Sequence, residues 1–374
     1  MKKICYVVTI PLTIRSFFIP QLRYLSDNGF DVTVICSPDD MLQNELGKKV
    51  TFIPVEIPRG ISIGGSWKAI RELIRIFRNE KFDIIQYSTP NAALYASIAS
   101  KYVKCKVRNY HLMGFRYLGA NSIEKSLLKE IERFTCKNST SIECVSKSNL
   151  EIGVQEKIFP KNKATVVWNG STGGVDVERF NYKMREKYRG EIREKYNISE
   201  HEFVYGFVGR ITRDKGVNEI LEAYQQIKGT KLFLIGPNEG IDTLEYNVYR
   251  QSLRDNRIIY TDNVKEVEKY FAAIDVLLLP SYREGFGNVV IEAGAMGTPA
   301  IVSNIAGPID TSIKNKTAFW VKTKDAQELK KAMEFCLMHK EIVLKMGLQA
   351  LDYSITNFSQ DILNKKILER KLSF

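Results

Sequence analysis

Short runs of β-branched and aliphatic residues alternate along the whole chain with amphipathic stretches long enough to form helices. The runs fall at residues 4–10, 32–36, 83–87, 107–111, 141–145 and 165–168, and again at 203–208, 231–235, 257–260, 276–279 and 299–302. Strand, helix, strand in repetition demands parallel pairing through crossover helices, so the chain reads as α/β with two doubly wound parallel sheets. Its 374 residues suffice for two such domains, each with its own core. A polar, charged span from 176 to 202 with no long apolar run marks the seam. Ligands of such sheets gather beyond the carboxyl ends of the strands, and two facing sheets predict a cleft between the domains. No internal repeat or low-complexity tract interrupts the pattern.

Several function classes drop out early. Charges interrupt every apolar run before the roughly 18 residues needed to span a bilayer, so membrane contact is expected to be peripheral. Six cysteines, at 5, 36, 105, 136, 144 and 336, never fall in a Cys-x-x-Cys spacing and follow no signal peptide, so they read as reduced, cytosolic and mostly buried. The net charge of +12 is uneven: residues 1–175 hold 25 Lys+Arg against 15 Asp+Glu, whereas residues 176–374 hold 30 against 28. If either half faces something anionic, it is the first. No basic-aromatic RNA motif or recognition-helix pattern is present, so nucleic acid is not an expected partner.

The most informative segment is 280–299. It opens Pro-Ser-Tyr-Arg-Glu-Gly-Phe-Gly-Asn and reads as a glycine-bearing loop between an apolar strand and a helix beginning near Asn288. Gly285 and Gly287 let the backbone approach a ligand, and the helix start offers N–H groups and a positive dipole end suited to phosphate. Glu284 and Glu292, eight residues apart, can place a carboxylate at each end of an extended ligand, where sugar hydroxyls are good donors. A second segment, 208–216, reads Val-Gly-Arg-Ile-Thr-Arg-Asp-Lys-Gly. Its Arg210 and Lys215 make a diphosphate clamp of one bidentate donor and one point charge. Either segment alone also reads as an ordinary turn beside a solvated face.

Together the two segments resemble the signature of retaining nucleotide-sugar glycosyltransferases of family four, with the GT-B fold. The resemblance rests on Gly209-Arg210 with Lys215-Gly216, the Glu-x7-Glu pair Glu284 and Glu292, and Glu-Ala-x-Ala-x-Gly-x-Pro from Glu292 to Pro299. It implies two Rossmann-like domains: 1–178 on the acceptor and membrane side, and 199–345 binding the nucleotide-sugar donor. A terminal helix within 346–374 is expected to return to the first domain. By the same resemblance Arg210 and Lys215 bind the donor diphosphate, Glu292 the ribose hydroxyls and Glu284 the transferred sugar. The N–H groups of Phe286, Asn288 and Val289 meet sugar or phosphate, while the Gly236-Pro237 turn and the segment up to Val264 flank the base. Relatives usually carry glycine near that last turn, where this chain has Asp262.

Of three histidines, only His111 ends a predicted strand, and the resemblance gives it a sugar-positioning role; a structural role is the competing reading. The first loop, 9–17, lacks the paired glycines of many family members and resembles instead the capsule and O-antigen branch. That makes Arg15, with Arg116, a candidate for an acceptor phosphate, although a surface Arg near a helix start reads equally well. Residues 66–78 predict a helix with Trp67, Ile70, Leu73, Ile74 and Phe77 inward and Lys68, Arg71, Arg75 and Arg78 on another face. That basic face is a solvated surface or, given the charge of this half, a docking surface for an anionic membrane.

The function this implies is transfer of a hexosyl or N-acetylhexosaminyl unit, with retention, from a UDP-type donor. The acceptor is a polyprenyl-diphosphate-linked glycan at the inner face of the cytoplasmic membrane, in capsule, O-antigen or exopolysaccharide biosynthesis. No metal or other cofactor is expected, because no Asp-x-Asp or His cluster is placed to hold one. The rivals are a nucleotide-sugar 2-epimerase on the same fold and a non-catalytic anion-binding protein.

Overall fold

The computed structural model describes residues 1–60, 62–120, 122–238 and 240–374. The chain divides into one unit of Met1–Gly173 with Asp361–Phe374 and a second of Gly174–Gln360. In the first unit β1 (Lys2–Val7), β2 (Phe30–Cys36), β3 (Val50–Pro54), β4 (Ile84–Tyr87), β5 (Val107–Leu112), β6 (Ser141–Cys144) and β7 (Ala164–Thr165) pair in parallel in the order β3-β2-β1-β4-β5-β6-β7. In the second, β8 (Phe203–Val208), β9 (Thr230–Ile235), β10 (Ile258–Thr261), β11 (Val276–Leu279), β12 (Ala300–Ser303) and β13 (Ala318–Val321) pair in parallel as β10-β9-β8-β11-β12-β13. Strand order reverses once in each sheet, between β1 and β4 and between β8 and β11. The loops leaving two adjacent strands there turn to opposite faces, and this is where open α/β sheets hold ligands.

Central strands such as β11, Val-Leu-Leu-Leu, are buried along their whole length because helices cover both faces of the sheet. The two strands the sequence pattern misses, β3 and β13, are both sheet edges. Each is paired on one side only, and the middle of each is only partly buried.

The charged span read as a seam is largely structured. Its helix Arg185–Lys195 belongs to the second unit, where Arg189 and Arg193 both pair with Asp275, at 2.8 and 3.0 Å. Only Ile192 and Arg193 of this helix are buried, and the Arg193 charge is balanced by Asp275. At the other crossing the helix Lys340–Phe358 stays with the second unit, and only Asp361–Phe374 joins the first. The two crossing segments run side by side through Val175 N–H to the Phe358 carbonyl at 2.7 Å and Gln360 N–H to the Val175 carbonyl at 2.8 Å.

The helix predicted over 66–78 spans Ile63–Glu80, with Ser62 capping Gly65 N–H. Ile70, Leu73 and Phe77 are buried, but Trp67 is 63% exposed, contrary to its expected inward place. The periodicity identified the apolar stripe; at its amino-terminal end Ser66 meets the Tyr95 hydroxyl at 2.6 Å while the Trp67 ring stays outside. All six cysteines are free and buried.

Candidate active site

The loops after β8 and β11 leave neighbouring strands at the reversal of the second sheet, which brings the two sequence motifs together. Two glycines make this close approach possible. At Gly216, φ is +76° and a Cβ would lie 2.3 Å from the Pro280 carbonyl oxygen, so a side chain there would separate the loops. At Gly236, φ is +136° and a Cβ would lie 2.1 Å from the Gly209 carbonyl oxygen, which fixes the loop after β9 against the same turn.

Charge in these loops is organised around two carboxylates. Lys215 Nζ donates to Glu284 Oε1 at 2.6 Å, and both side chains are largely shielded. Asp214 lies 3.9 Å from Arg210 and 3.1 Å from Arg283, accepts from Thr212 Oγ1 at 2.5 Å, and its carbonyl takes the Tyr282 N–H at 2.9 Å. Burial alone would raise the Asp214 carboxyl; the Thr212 hydroxyl and the cations Arg283, Lys215 and Arg210 hold it below its ordinary range. It stays ionised and ties both arginines to one anchor. Arg283 was not singled out from the sequence, although it sits beside Glu284 in the motif. The structure places it on the same Asp214 carboxylate as Arg210.

The helix Asn288–Ala295 follows Gly287; its N-cap glycine offers no side-chain cap and no acid lies in its first turn. The Phe286 side chain is buried edge-on against Phe358, with centroids 5.4 Å apart, leaving only its backbone for a ligand. Asn288, Val289, Gly285 and Val264 are half-buried, and Asp262 is exposed, its carboxylate taking the Asn263 N–H at 2.9 Å. Glu292 is half-buried on the helix. Desolvation pushes its carboxyl up to about 7, with Glu268 adding to the shift and Arg179 opposing it. Three buried hydroxyls at or just past carboxyl ends of strands, Thr261, Ser281 and Ser303, have no hydrogen-bond partner among the described residues. Single Ser and Thr residues at strand ends gave no sequence signal.

In the first unit, His111 is buried at the end of β5 with Nε2 unpartnered, edge-on to Phe18 with centroids 5.6 Å apart. Burial, opposed by Glu143 and aided by Lys371, holds its imidazole down at about 4, so it is neutral at pH 7. Glu143 is its register partner on β6 and is itself held by Lys371 Nζ at 2.8 and 2.7 Å, with both side chains almost fully buried. Burial would raise Glu143, and the contact with Lys371 more than reverses that. Neither residue stood out in the sequence. At the reversal of this sheet Thr89, a β-branched residue at φ 65°, takes the Thr9 N–H on its hydroxyl at 3.0 Å.

Arg15 has a different occupation from the one expected. It forms a bidentate pair with Asp39 at 2.7 and 2.9 Å and a further pair with Glu45, so its charge is already balanced. The Arg15 guanidinium, with the Met41 and Leu42 N–H groups, pulls the Asp39 carboxyl down to about 2. Any acceptor phosphate would have to compete with two carboxylates. Arg116 is exposed at the start of a short 3-10 turn, Arg116–Gly119.

A family model described as "Glycosyl transferases group 1" matches residues 189–350, and one described as "Glycosyltransferase Family 4" matches residues 21–179. The chain is 27% identical over 369 residues to the capsular polysaccharide biosynthesis glycosyltransferase CapM of Staphylococcus aureus, covering 97% of this chain and 94% of that one. It is 27% identical over 318 residues to the UDP-Gal:alpha-D-GlcNAc-diphosphoundecaprenol alpha-1,3-galactosyltransferase of Escherichia coli, covering 82% and 80%. Among solved structures, HepE of Anabaena in complex with UDP matches in fold over the full length of both chains, with a TM-score of 0.80 at 17% identity.

Proposed function

The chain belongs to the group 1 glycosyltransferases of family 4, and from that premise we propose that it moves a hexosyl or N-acetylhexosaminyl unit from a UDP-sugar onto a polyprenyl-diphosphate-linked glycan, with retention. The observation that carries this is the meeting of Arg210, Lys215, Arg283 and the Asn288 helix start at the reversal of the second sheet. As the bond from C1 to the phosphate oxygen breaks, charge builds on the departing diphosphate, and preorganised donors stabilise that charge more than the ground state. The acceptor oxygen bonds C1 on the face the leaving group vacates, and its proton passes to the departing phosphate oxygen. These cations take the part a metal would otherwise play. His111, kept neutral, is assigned to a sugar hydroxyl, and Glu284, held by Lys215, to the transferred sugar.

The test is a panel of UDP-, GDP- and dTDP-sugars with undecaprenyl-diphosphate-linked acceptors, with products analysed with and without acceptor. Acceptor-dependent glycan extension is expected. Rearranged or hydrolysed donor as the only product would favour the epimerase.

Ribose hydroxyls donate to an ionised carboxylate, and Glu292 starts from a carboxyl raised to about 7. Its protonated form therefore dominates below neutrality, and binding must draw the proton off. UDP affinity is expected to rise as pH rises through about 7 and then flatten, with proton release near neutrality read from buffer-dependent calorimetric heats. Glu292→Gln should abolish that step and weaken UDP by roughly tenfold or more, the scale of hydrogen bonds to a charged group. A parental pH profile in the variant would remove the ribose assignment.

Docking on an anionic membrane is proposed for the first unit. No helix among the described residues is long and apolar enough to cross a membrane. Leu12, Met41, Trp67, Ile123 and Leu127 are all exposed, and each lies on a connection leaving the carboxyl end of a strand. Lys68 and Arg71 flank Trp67 on its helix and are exposed. Amphipathic aromatics with neighbouring cations suit the headgroup layer, each cation contributing roughly 1 kcal/mol near an anionic surface. Trp67→Ala with Lys68→Glu and Arg71→Glu should weaken binding to phosphatidylglycerol vesicles at least tenfold, with transfer to a short soluble acceptor retained. Unchanged vesicle affinity would leave this helix a solvated face.

A further inference from the structure

A cavity of about 660 Å³ opens at the amino edge of the first sheet, where Lys2 starts β1, Asp83 precedes β4 and Lys106 precedes β5. His111 and the connections discussed above lie toward the opposite, carboxyl edge. The cavity wall carries Lys2, Arg78, Lys81, Lys104 and Lys106 against one acid, Asp83. Among the described residues none of the five cations lies within 4.0 Å of a carboxylate, and Asp83 is engaged by the Lys3 N–H at 2.8 Å. Cations in excess around a pocket repel one another, and an anion relieves that repulsion.

Two further observations point the same way. Lys81 and Lys104 adopt φ of +53° and +57°, the left-handed region that glycine or asparagine enters more readily. Lysine occupies both positions, and each brings an ammonium to the cavity wall. Favourable interaction with helix carboxyl ends accounts for Arg78, Lys81 and Lys104, and Lys2 Nζ donates to the carbonyl of Leu372, the last residue of the helix Gln360–Leu372, at 3.2 Å; such interaction does not account for Lys106, which precedes β5. The wall also has an aromatic part: Tyr102 is 60% exposed beneath the Arg78 guanidinium, 5.1 Å from its ring centroid, and Phe374 lines the same cavity. The volume falls in the range of small-molecule sites.

We propose that this cavity is a second anion site, separate from the donor loops, that takes a phosphorylated ligand with at least two negative charges and an apolar or planar body. The phosphate belongs either to a soluble compound or to a lipid headgroup, and the experiment separates the two. The full-length protein is held at saturating UDP, so that the donor loops are filled, and titrated calorimetrically with inorganic pyrophosphate. Parent protein is expected to bind. Lys81→Asn/Lys104→Asn, which keeps residues suited to the left-handed backbone, is expected to weaken pyrophosphate at least tenfold while UDP affinity and melting temperature hold. Lys106→Gln, outside the helix ends, should weaken pyrophosphate as well and guards against a folding defect in the first variant. In a second arm, vesicles of phosphatidylglycerol and of phosphatidylcholine are compared. Loss of phosphatidylglycerol binding in both variants, with pyrophosphate competing in the parent, assigns the headgroup; vesicle binding unaffected by either variant, alongside weakened pyrophosphate, assigns a soluble ligand. The proposal is overturned if pyrophosphate fails to bind at millimolar concentration in the presence of UDP, or binds both variants as tightly as the parent.

Discussion

Arg210→Ala and Lys215→Ala are each expected to lower turnover by roughly 10² to 10³ at saturating donor, the scale of losing one preorganised donor to a developing oxyanion. The geometry ranks them. Arg210 is half-exposed and 3.9 Å from Asp214, with Arg283 on the same carboxylate oxygen to share its task. Lys215 is shielded and pairs with Glu284 at 2.6 Å, so its removal takes away a cation and also leaves a carboxylate unbalanced beside the donor loops. Lys215→Ala should therefore be the more damaging. Arg283→Ala should fall between the parent and Arg210→Ala, and Arg210→Ala/Arg283→Ala should lose more than the two single losses combined if each arginine covers for the other. Steady-state turnover with melting temperature as the folding control decides this. Near-parental turnover in Lys215→Ala would remove it from the diphosphate clamp.

Lys371→Met is expected to destabilise the first unit by about 3–5 kcal/mol, because it leaves Glu143 buried without its main counter-ion. In a unit of this size that corresponds to a melting temperature lower by roughly 10 °C. Arg370, 3.5 Å from Glu143 and one-third exposed, softens the loss without replacing a buried ammonium at 2.7 Å. Replacing both partners, Glu143→Gln/Lys371→Met, should recover most of the deficit, since a neutral pair no longer suffers the desolvation of an uncompensated charge. Denaturant unfolding of the four proteins of this cycle gives the coupling directly. A single-variant loss below about 1 kcal/mol would mean that water reaches the pair. Glu143 is also the register neighbour of His111, so the single variant should lower activity more than stability alone accounts for.

Much of the second unit was legible because its chemistry is contiguous in the chain. Arg210 and Lys215 lie in one loop, Glu284 to Glu292 in one loop and helix start, and the glycines that permit close backbone approach lie among them. The alternation of strand and helix likewise follows from residue order, since central parallel strands are buried on both faces and read as unbroken apolar runs. Edge strands are covered on one side only and carry a weaker signal: β7 and β10 were still legible, β3 and β13 were not. Hydrophobic periodicity named the stripe on the Ile63–Glu80 helix but could not say which of its members the fold covers, and the Trp67 ring stays outside.

The residues determined by themselves two doubly wound sheets, two cations in one loop and a glycine-bearing helix start in another, and a basic first half. Tertiary structure decided which charges are free to act. Arg15 looks available in the sequence, yet folding brings Asp39 and Glu45 onto it from 24 and 30 residues away. Lys371 looks like one more surface lysine near a helix end, yet it is buried against a carboxylate 228 residues earlier in the chain. Electrostatic and desolvation energies depend on distance in space and on solvent exclusion, and neither is a function of separation along the chain.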